Sequence, residues 1–286
     1  MKKLNKKKIR WIVRQVNKRE IGLYTIAKIQ KITPQHVCRV ARRYKACKDP
    51  VLNNCGRKPR EISKEEYNLV IKTYKELRAG ATMIEQYLDE KGIHINHNRI
   101  HRILLEEGLA RHEQKKQHRR SWVRYERKHS LSLVHADWFE FKQRQAILFI
   151  DDASRFITAY GEFSNATAEN TIKVFKESLA YGIPKLTHTD HGTQFVSNER
   201  ENSKVNDSIF TQTVKNAGSK HILARIKHPQ ANGKAERAIG TLKRLWNELG
   251  TLNKAVYLYN YKRPHRSLTN GKLRTPYQAF LDKKRK

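Results

Sequence analysis

Acid is what this 286-residue chain is short of: 27 aspartates and glutamates stand against 60 lysines and arginines, for a formal net charge of +33. Self-repulsion on that scale is tolerable mainly when the partner is a polyanion, so nucleic acid is the first expectation. A ribosomal or packaging protein would share that charge, so it points to a class of partner and to no chemistry. Cysteine is nearly absent too. Cys38, Cys47 and Cys55 are an odd set at spacings that match no zinc pattern, and they read as reduced thiols of an intracellular protein. No apolar run reaches membrane-spanning length. The lysines at 2, 3, 6, 7 and 8 are not followed by the apolar stretch of a secretion signal, so they read as a DNA-contacting or simply solvated arm.

The excess of base is uneven. Residues 1–130 hold 34 lysines and arginines against 13 acids, or +21 of the +33, so the front of the chain is expected to hold DNA. Its pattern is helical: residues 8–18 place Ile9, Ile12, Val13 and Val16 on one face, and a short piece follows over 23–29. Thr33 is then a good N-cap and Pro34 suits a first helical position. The helix after them buries Val37, Val40 and Ala41 and shows Gln35, His36, Arg39, Arg42 and Arg43 outward. A short helix, a tight turn and a basic-faced helix predict a helix-turn-helix over 1–56, its second helix entering the major groove.

After the basic Gly56–Arg60 stretch the pattern recurs over 57–110. Ser63 and Glu66 form a capping box for 64–77. Thr82 is expected to open 83–90, with Gly92 as its stop, and Asn96 to open 97–107, with Gly108 as its stop. That last helix sets Asn98, Arg99 and Arg102 on one side and Ile100, Ile103 and Leu104 on the other, predicting a second helix-turn-helix. Residues 111–130 read as a basic linker, either solvated or neutralising phosphates along a duplex.

From Leu131 the texture changes to strands. Residues 131–141 alternate, with Leu133, His135, Asp137, Phe139 and Phe141 on one face. Ala146–Ile150 is an apolar run, Asp151–Ser154 a hairpin turn and Phe156–Phe163 the return strand. Helices over 167–180, 209–216 and 232–249 and strands over 185–189 and 221–226 complete a β-β-β-α-β-α-β-α order, an α/β mixed five-stranded sheet with helices on its faces. The polar stretch 197–207 looks like a surface insertion, and 271–286 a basic C-terminal tail.

Asp137 inside an apolar strand, Asp190 at the end of another and Glu236 on the first turns of a lysine- and arginine-rich helix are the acids that suit phosphoryl transfer. Cutting or joining a phosphodiester sets an attack on a centre ringed by negative oxygens, and a pair of divalent ions serves it. Such hard cations take carboxylate oxygens and keep several waters, so a few acids suffice. Asp137 is rigid enough to bridge, with Asp190 and Glu236 flanking. Gly192 lets backbone come close to a ligand. Gly240, one turn beyond Glu236, leaves room for a DNA backbone, and Lys243 supplies a phosphate contact, with Lys234, Arg237 and Arg244 around that face.

The stretches Val134–Trp138, Thr189–Phe195 and His228–Arg237 resemble the three blocks of the integrase core in bacterial and archaeal insertion-sequence transposases and retroviral integrases. Tyr259–Leu268 resembles the tail block of the same transposases. The resemblance covers about 131–270 and implies a ribonuclease H-like fold with Asp137, Asp190 and Glu236 as catalytic metal ligands. It also implies Mg²⁺ (with Mn²⁺ as a substitute), cleavage at transposon ends and strand transfer by the freed 3′-hydroxyl. Partners would be double-stranded DNA, both element ends and target, and further copies of the chain in a dimer or larger synaptic assembly. The setting would be the nucleoid of a prokaryotic cytoplasm, with no membrane involved. Glu236 follows Asp190 by 46 positions, more than is usual in the family, and the polar 197–207 stretch accounts for the excess.

Other candidates have plainer readings. Asp151 and Asp152 suit a turn through their own backbone bonds. His135 and His191 read as structural hydrogen-bonders, and Tyr257, Tyr259 and Tyr261 as packing rather than as the nucleophile of a tyrosine recombinase. Two rival functions stand beside a DDE-type transposase: a non-catalytic DNA-binding regulator derived from one, and a nuclease acting on RNA–DNA hybrids.

Overall fold

The computed structural model describes residues 4–47, 60–111, 126–196, 208–224, 233–268 and 272–284. Expectations for the linker over 112–125, the insertion over 197–207 and residues 228–232 therefore lie outside the described residues. Residues 1–61 and 62–286 form two compact units.

In the first unit, α1 (Lys6–Lys18), α2 (Leu23–Gln30) and α3 (Pro34–Cys47) close around Ile12, Ile26, Ala27 and Val37. Asn5 caps α1, its Oδ1 accepting from Lys8 N at 2.9 Å. Thr33 accepts from His36 N at 3.3 Å and Pro34 opens α3, the arrangement a hydroxyl and a fixed φ favour at a helix start. Val37 and Ala41 are buried, which turns Gln35, Arg39, Arg42 and Arg43 to solvent and leaves His36 half-buried.

The second unit opens with α4 (Lys64–Leu77), α5 (Ala81–Glu90) and α6 (His97–Glu106). The Ser63–Glu66 capping box is present in both directions. Thr82 is not the cap of α5: that helix starts at Ala81 behind Gly80, with no side-chain cap. Val70, Tyr74, Ile84, Leu88, Ile100, Ile103 and Leu104 make its core.

The rest of this unit is a mixed sheet of β1 (Val134–Phe141), β2 (Arg144–Asp151), β3 (Ile157–Phe163), β4 (Leu186–Thr189) and β5 (Lys220–Leu223), in the order β3-β2-β1-β4-β5. β1–β2–β3 is an antiparallel meander, and β4 and β5 run parallel to β1 beyond it. β1 begins three positions later than its alternation suggested, because Leu131 takes a left-handed φ of 59° and its N–H donates to Asp151 Oδ1 at 2.7 Å. Period-two alternation then splits β1 between two cores. Val134, Ala136 and Trp138 face α7 (Ala168–Ser178) and α8 (Ile209–Asn216). Phe139 and Phe141 face α9 (Gly233–Leu249) and α10 (Leu252–Tyr257).

Residues 271–286 were expected to be a basic tail, and part of them is not. Thr275 and Gln278 form a capping box for α11 (Pro276–Asp282), and Phe280 is buried against Phe156. Ser130 Oγ donates to the Phe280 carbonyl at 2.9 Å. The lysines that made the segment look solvated flank an apolar turn, and burial of that turn decides where it goes.

Candidate active site

β1 is central in the sheet, and Asp137 sits on its α9-facing side between His135 and Phe139. Asp190 follows the last residue of β4, whose register sets His188 opposite His135. Glu236 lies exposed in the first turn of α9, where the positive end of the helix dipole favours a carboxylate. Three segments distant in sequence thus converge at one end of the sheet. Burial pushes the Asp137 carboxyl up to about 7, and the charges of Asp190 and then Glu236 push the same way. Like charges raise one another only at close range, so the acids share one electrostatic site. Among the described residues no three histidines, cysteines or acids are already drawn together as a metal-ligand set. The donors nevertheless fit a hard divalent cation in kind: carboxylate oxygens, one of them held under repulsion that a cation would relieve.

The loop after β4 is tied down locally. Asp190 Oδ1 accepts from Gly192 N at 3.0 Å, and a ring nitrogen of His191 lies 2.8 Å from the Ala224 carbonyl. The room at Gly192 is taken by the chain itself, since a Cβ there would lie 2.3 Å from the Gln194 amide. Gly240 is different: apart from its own helix backbone, none of the described residues lies within 4 Å of a Cβ placed there.

Lys234 is not turned toward a ligand. Its Nζ donates to Asp152 Oδ1 at 2.6 Å, with the lysine side chain 19% exposed and the aspartate 1%. A ring nitrogen of His135 lies 2.9 Å from the same oxygen, and the other lies 3.3 Å from His188 Nδ1. Burial alone would raise the Asp152 carboxyl, but the hydrogen bonds from His135 and Lys234 hold it well below the ordinary range. Burial also pulls the Lys234 ammonium down, with Asp152 opposing. The pair is ionised: Asp152 Oδ1 has partners at 2.6 and 2.9 Å, and short charge-assisted bonds are the strong ones.

Asp152 lies in the turn after β2 as expected, but of the two acids only Asp151 bonds within it: buried, it accepts from Ser154 N at 2.8 Å. What could have flagged Asp152 is spacing. His135, His188 and Lys234 each stand two residues before an acid of the site.

The remaining candidates divide. Arg237 is exposed, whereas Lys243 is half-buried with Nζ 5.7 Å from the centre of the Phe139 ring. On α6, Asn98 and Arg102 are exposed, Arg102 in an i,i+4 pair with Glu106 at 3.3 Å. Arg99 departs from the expected outward face, because it turns back onto α4 and pairs with Glu66. Tyr259 is buried, which pushes its phenol up to about 12, and Asn260 bonds both ways to the Ile157 backbone at 2.9 and 3.0 Å. These residues pack the widened turn Leu258–Lys262 onto the sheet edge.

No family model matches the chain. It is 29% identical over 152 residues to the ORF3 protein of Spiroplasma virus SpV1-C74, assigned as an integrase, across 47% of this chain and 41% of that protein. It thus spans less than half the length of that relative. Among solved structures, the HTLV-2 integrase catalytic core domain in complex with magnesium is 20% identical at a TM-score of 0.40, over 53% of this chain and 97% of that one. The second unit, a mixed five-stranded sheet with helices on its faces, is similar to an integrase core, and its relatives include an assigned integrase. An uncharacterized protein of Archaeoglobus fulgidus is 31% identical over 100 residues, 35% of this chain and 76% of that protein. The chain belongs to the same family as that protein.

Proposed function

We propose that the protein is a DNA transposase or integrase that binds the ends of a mobile element, cleaves DNA and joins the freed 3′ end to a target. The observation that carries this reading is the convergence of Asp137, Asp190 and Glu236: burial lifts the Asp137 carboxyl to about 7, and the charges of Asp190 and Glu236 push the same way. Asp137 from the middle of the sheet holds the central position. Asp190 from a strand end and Glu236 from a helix start flank it. Mg²⁺ ions held by these carboxylates, with Mn²⁺ as a substitute, would supply activation of the attacking oxygen and charge relief at the leaving oxygen. The open ground beside Gly240 and the exposed Arg237 lie on the side where a duplex would approach.

End recognition belongs in this reading to α3, through Gln35, His36, Arg39, Arg42 and Arg43, and to α6, through Asn98 and Arg102. Each basic helix follows another helix and a turn, as in helix-turn-helix modules. Joining two ends in concert calls for a dimer or a larger synaptic assembly of this chain.

The test is nicking of a duplex end by the full chain with Mg²⁺. Wild-type nicking that Asp190→Asn abolishes, with DNA affinity kept, supports the reading. Tight DNA binding without nicking under any divalent metal would leave a DNA-binding regulator. Preference for an RNA–DNA hybrid over duplex would make the protein a hybrid nuclease.

A further inference from the structure

Each acid of the site stands two residues after a member of one buried polar network. His135 precedes Asp137 on β1, His188 precedes Asp190 at the end of β4, and Lys234 precedes Glu236 on α9. Asp152, between β2 and β3, is the hub. Its Oδ1 takes the Lys234 ammonium at 2.6 Å and lies 2.9 Å from His135, and His135 lies 3.3 Å from His188. The hub is anchored in turn, since Asp152 N donates to the Leu133 carbonyl at 2.9 Å and its Oδ2 accepts from Arg127 N at 3.1 Å. Asp152, His135 and His188 are 1%, 3% and 8% exposed, so these bonds form out of water, where polar networks are strong and costly to break.

We propose that Asp152, with His135, His188 and Lys234, is a positioning tier that fixes how far apart the carboxylates of Asp137, Asp190 and Glu236 stand. The inference rests on the transposase reading of those acids. On a strand, residues two apart share a face, so holding His135 sets the height and tilt from which Asp137 projects. Across the parallel register, His188 opposite His135 keeps the end of β4 level with β1, and Asp190 follows one residue beyond that end. On a helix, residues two apart point in nearly opposite directions. Drawing Lys234 down to Asp152 therefore fixes the rotation of the first turn of α9 and turns Glu236 out to the site. The tier reaches all three acid-bearing segments through one carboxylate, and it touches no reacting atom.

The test uses the full chain, with single-turnover nicking of a duplex end in Mg²⁺, DNA affinity, and amide exchange over 233–238 as a readout separate from activity. Lys234→Met is expected to slow nicking at saturating DNA by about tenfold or more, since small misplacements near reacting groups are costly. DNA affinity should stay within about twofold, a split that a phosphate contact would not give. Exchange at the start of α9 should quicken, and Lys234→Arg should recover part of the rate. Should Lys234→Met fail to fold, Asp152→Asn/Lys234→Met removes both charges and is expected to fold and nick equally slowly. Wild-type rates in whichever of these variants folds would overturn the tier, as would a rate loss matched by an equal loss of DNA affinity. If the wild-type chain never nicks, the transposase reading fails by itself. Amide exchange then decides, and unchanged protection of α9 in the variant would overturn the tier as well.

Discussion

The two units are both basic, yet they use their charge differently. Among the described residues of the first unit the acids are Glu20, paired with Lys18 at 3.6 Å, and Glu61 at the unit's end, and the arginines of α3 face solvent. The second unit brings cations and acids together: Arg99 with Glu66, Arg78 and Arg244 with Glu248, Arg144 with Glu162, Arg274 with Asp282, Lys283 with Glu126 and Lys234 with Asp152. Asp137, Asp190 and Glu236 are the opposite case, acids gathered where they repel. Net charge therefore says that a polyanion is expected, and the pattern of pairing says where. An arginine with a carboxylate beside it must give up one partner to take a phosphate.

The largest expected effect concerns the repelling acids. A carboxyl whose folded value of about 7 lies above the ordinary unfolded one near ~3.9 binds more protons folded than unfolded between those values, so stability falls as pH rises through that window. Asp137→Asn removes that loss. It should raise the stability of the metal-free protein above pH 7 by up to about 4 kcal/mol before solvent screening, with the gap closing below pH ~4. Denaturant melts at pH 4 and pH 8 check it, and Mg²⁺ should narrow the gap at pH 8. Equal stability of the two proteins at both pH values would contradict a carboxyl raised by burial and by its acid neighbours.

Next come the solvent-facing arginines. Arg39→Ala/Arg43→Ala should weaken binding to an element end by roughly 2–4 kcal/mol and, if both touch phosphate, lower the salt slope by about 2. A fluorescence titration at several salt concentrations measures both, and unchanged affinity would sink the contrast between the units.

Arg99→Ala tests the paired class. It should cost about 1 kcal/mol of stability through the lost Glu66 pair and leave DNA affinity nearly unchanged, whereas Asn98→Ala should do the reverse. A larger loss in DNA binding than in stability would mean that Arg99 leaves Glu66 when DNA arrives.

Gly240→Ala should have the smallest effect on the fold. An added methyl meets none of the described residues outside its own helix backbone and favours the helix by up to about 1 kcal/mol. A weaker grip on DNA in this stabilised variant would place a duplex over that face, and unchanged affinity would remove it from there.

Much of the architecture was legible along the chain. Period-two alternation showed that Asp137 shares a face with Phe139, and the stripe Ala235, Ala238, Ile239, Leu242, Leu245 and Trp246 was readable because helical spacing needs only local order. The Ser63 capping box and the Thr33–Pro34 start were likewise local. The start of β1, the cap of α5 and the docking of α11 were not. Each turns on a partner far away in sequence or on a backbone turn without a side-chain signal: Asp151 for Leu131, Gly80 for α5 and Phe156 for Phe280.

By itself the sequence determined the charge balance, the order of helices and strands, and which acids to weigh as a site, since composition and periodicity are properties of neighbouring residues. The tertiary structure alone decided which cations are paired with a carboxylate. Lys234 and Arg99 look the same as Arg237 in a list of residues. Only the fold brings Asp152 and Glu66 within reach of the first two, and a charge is assigned by what lies next to it in space.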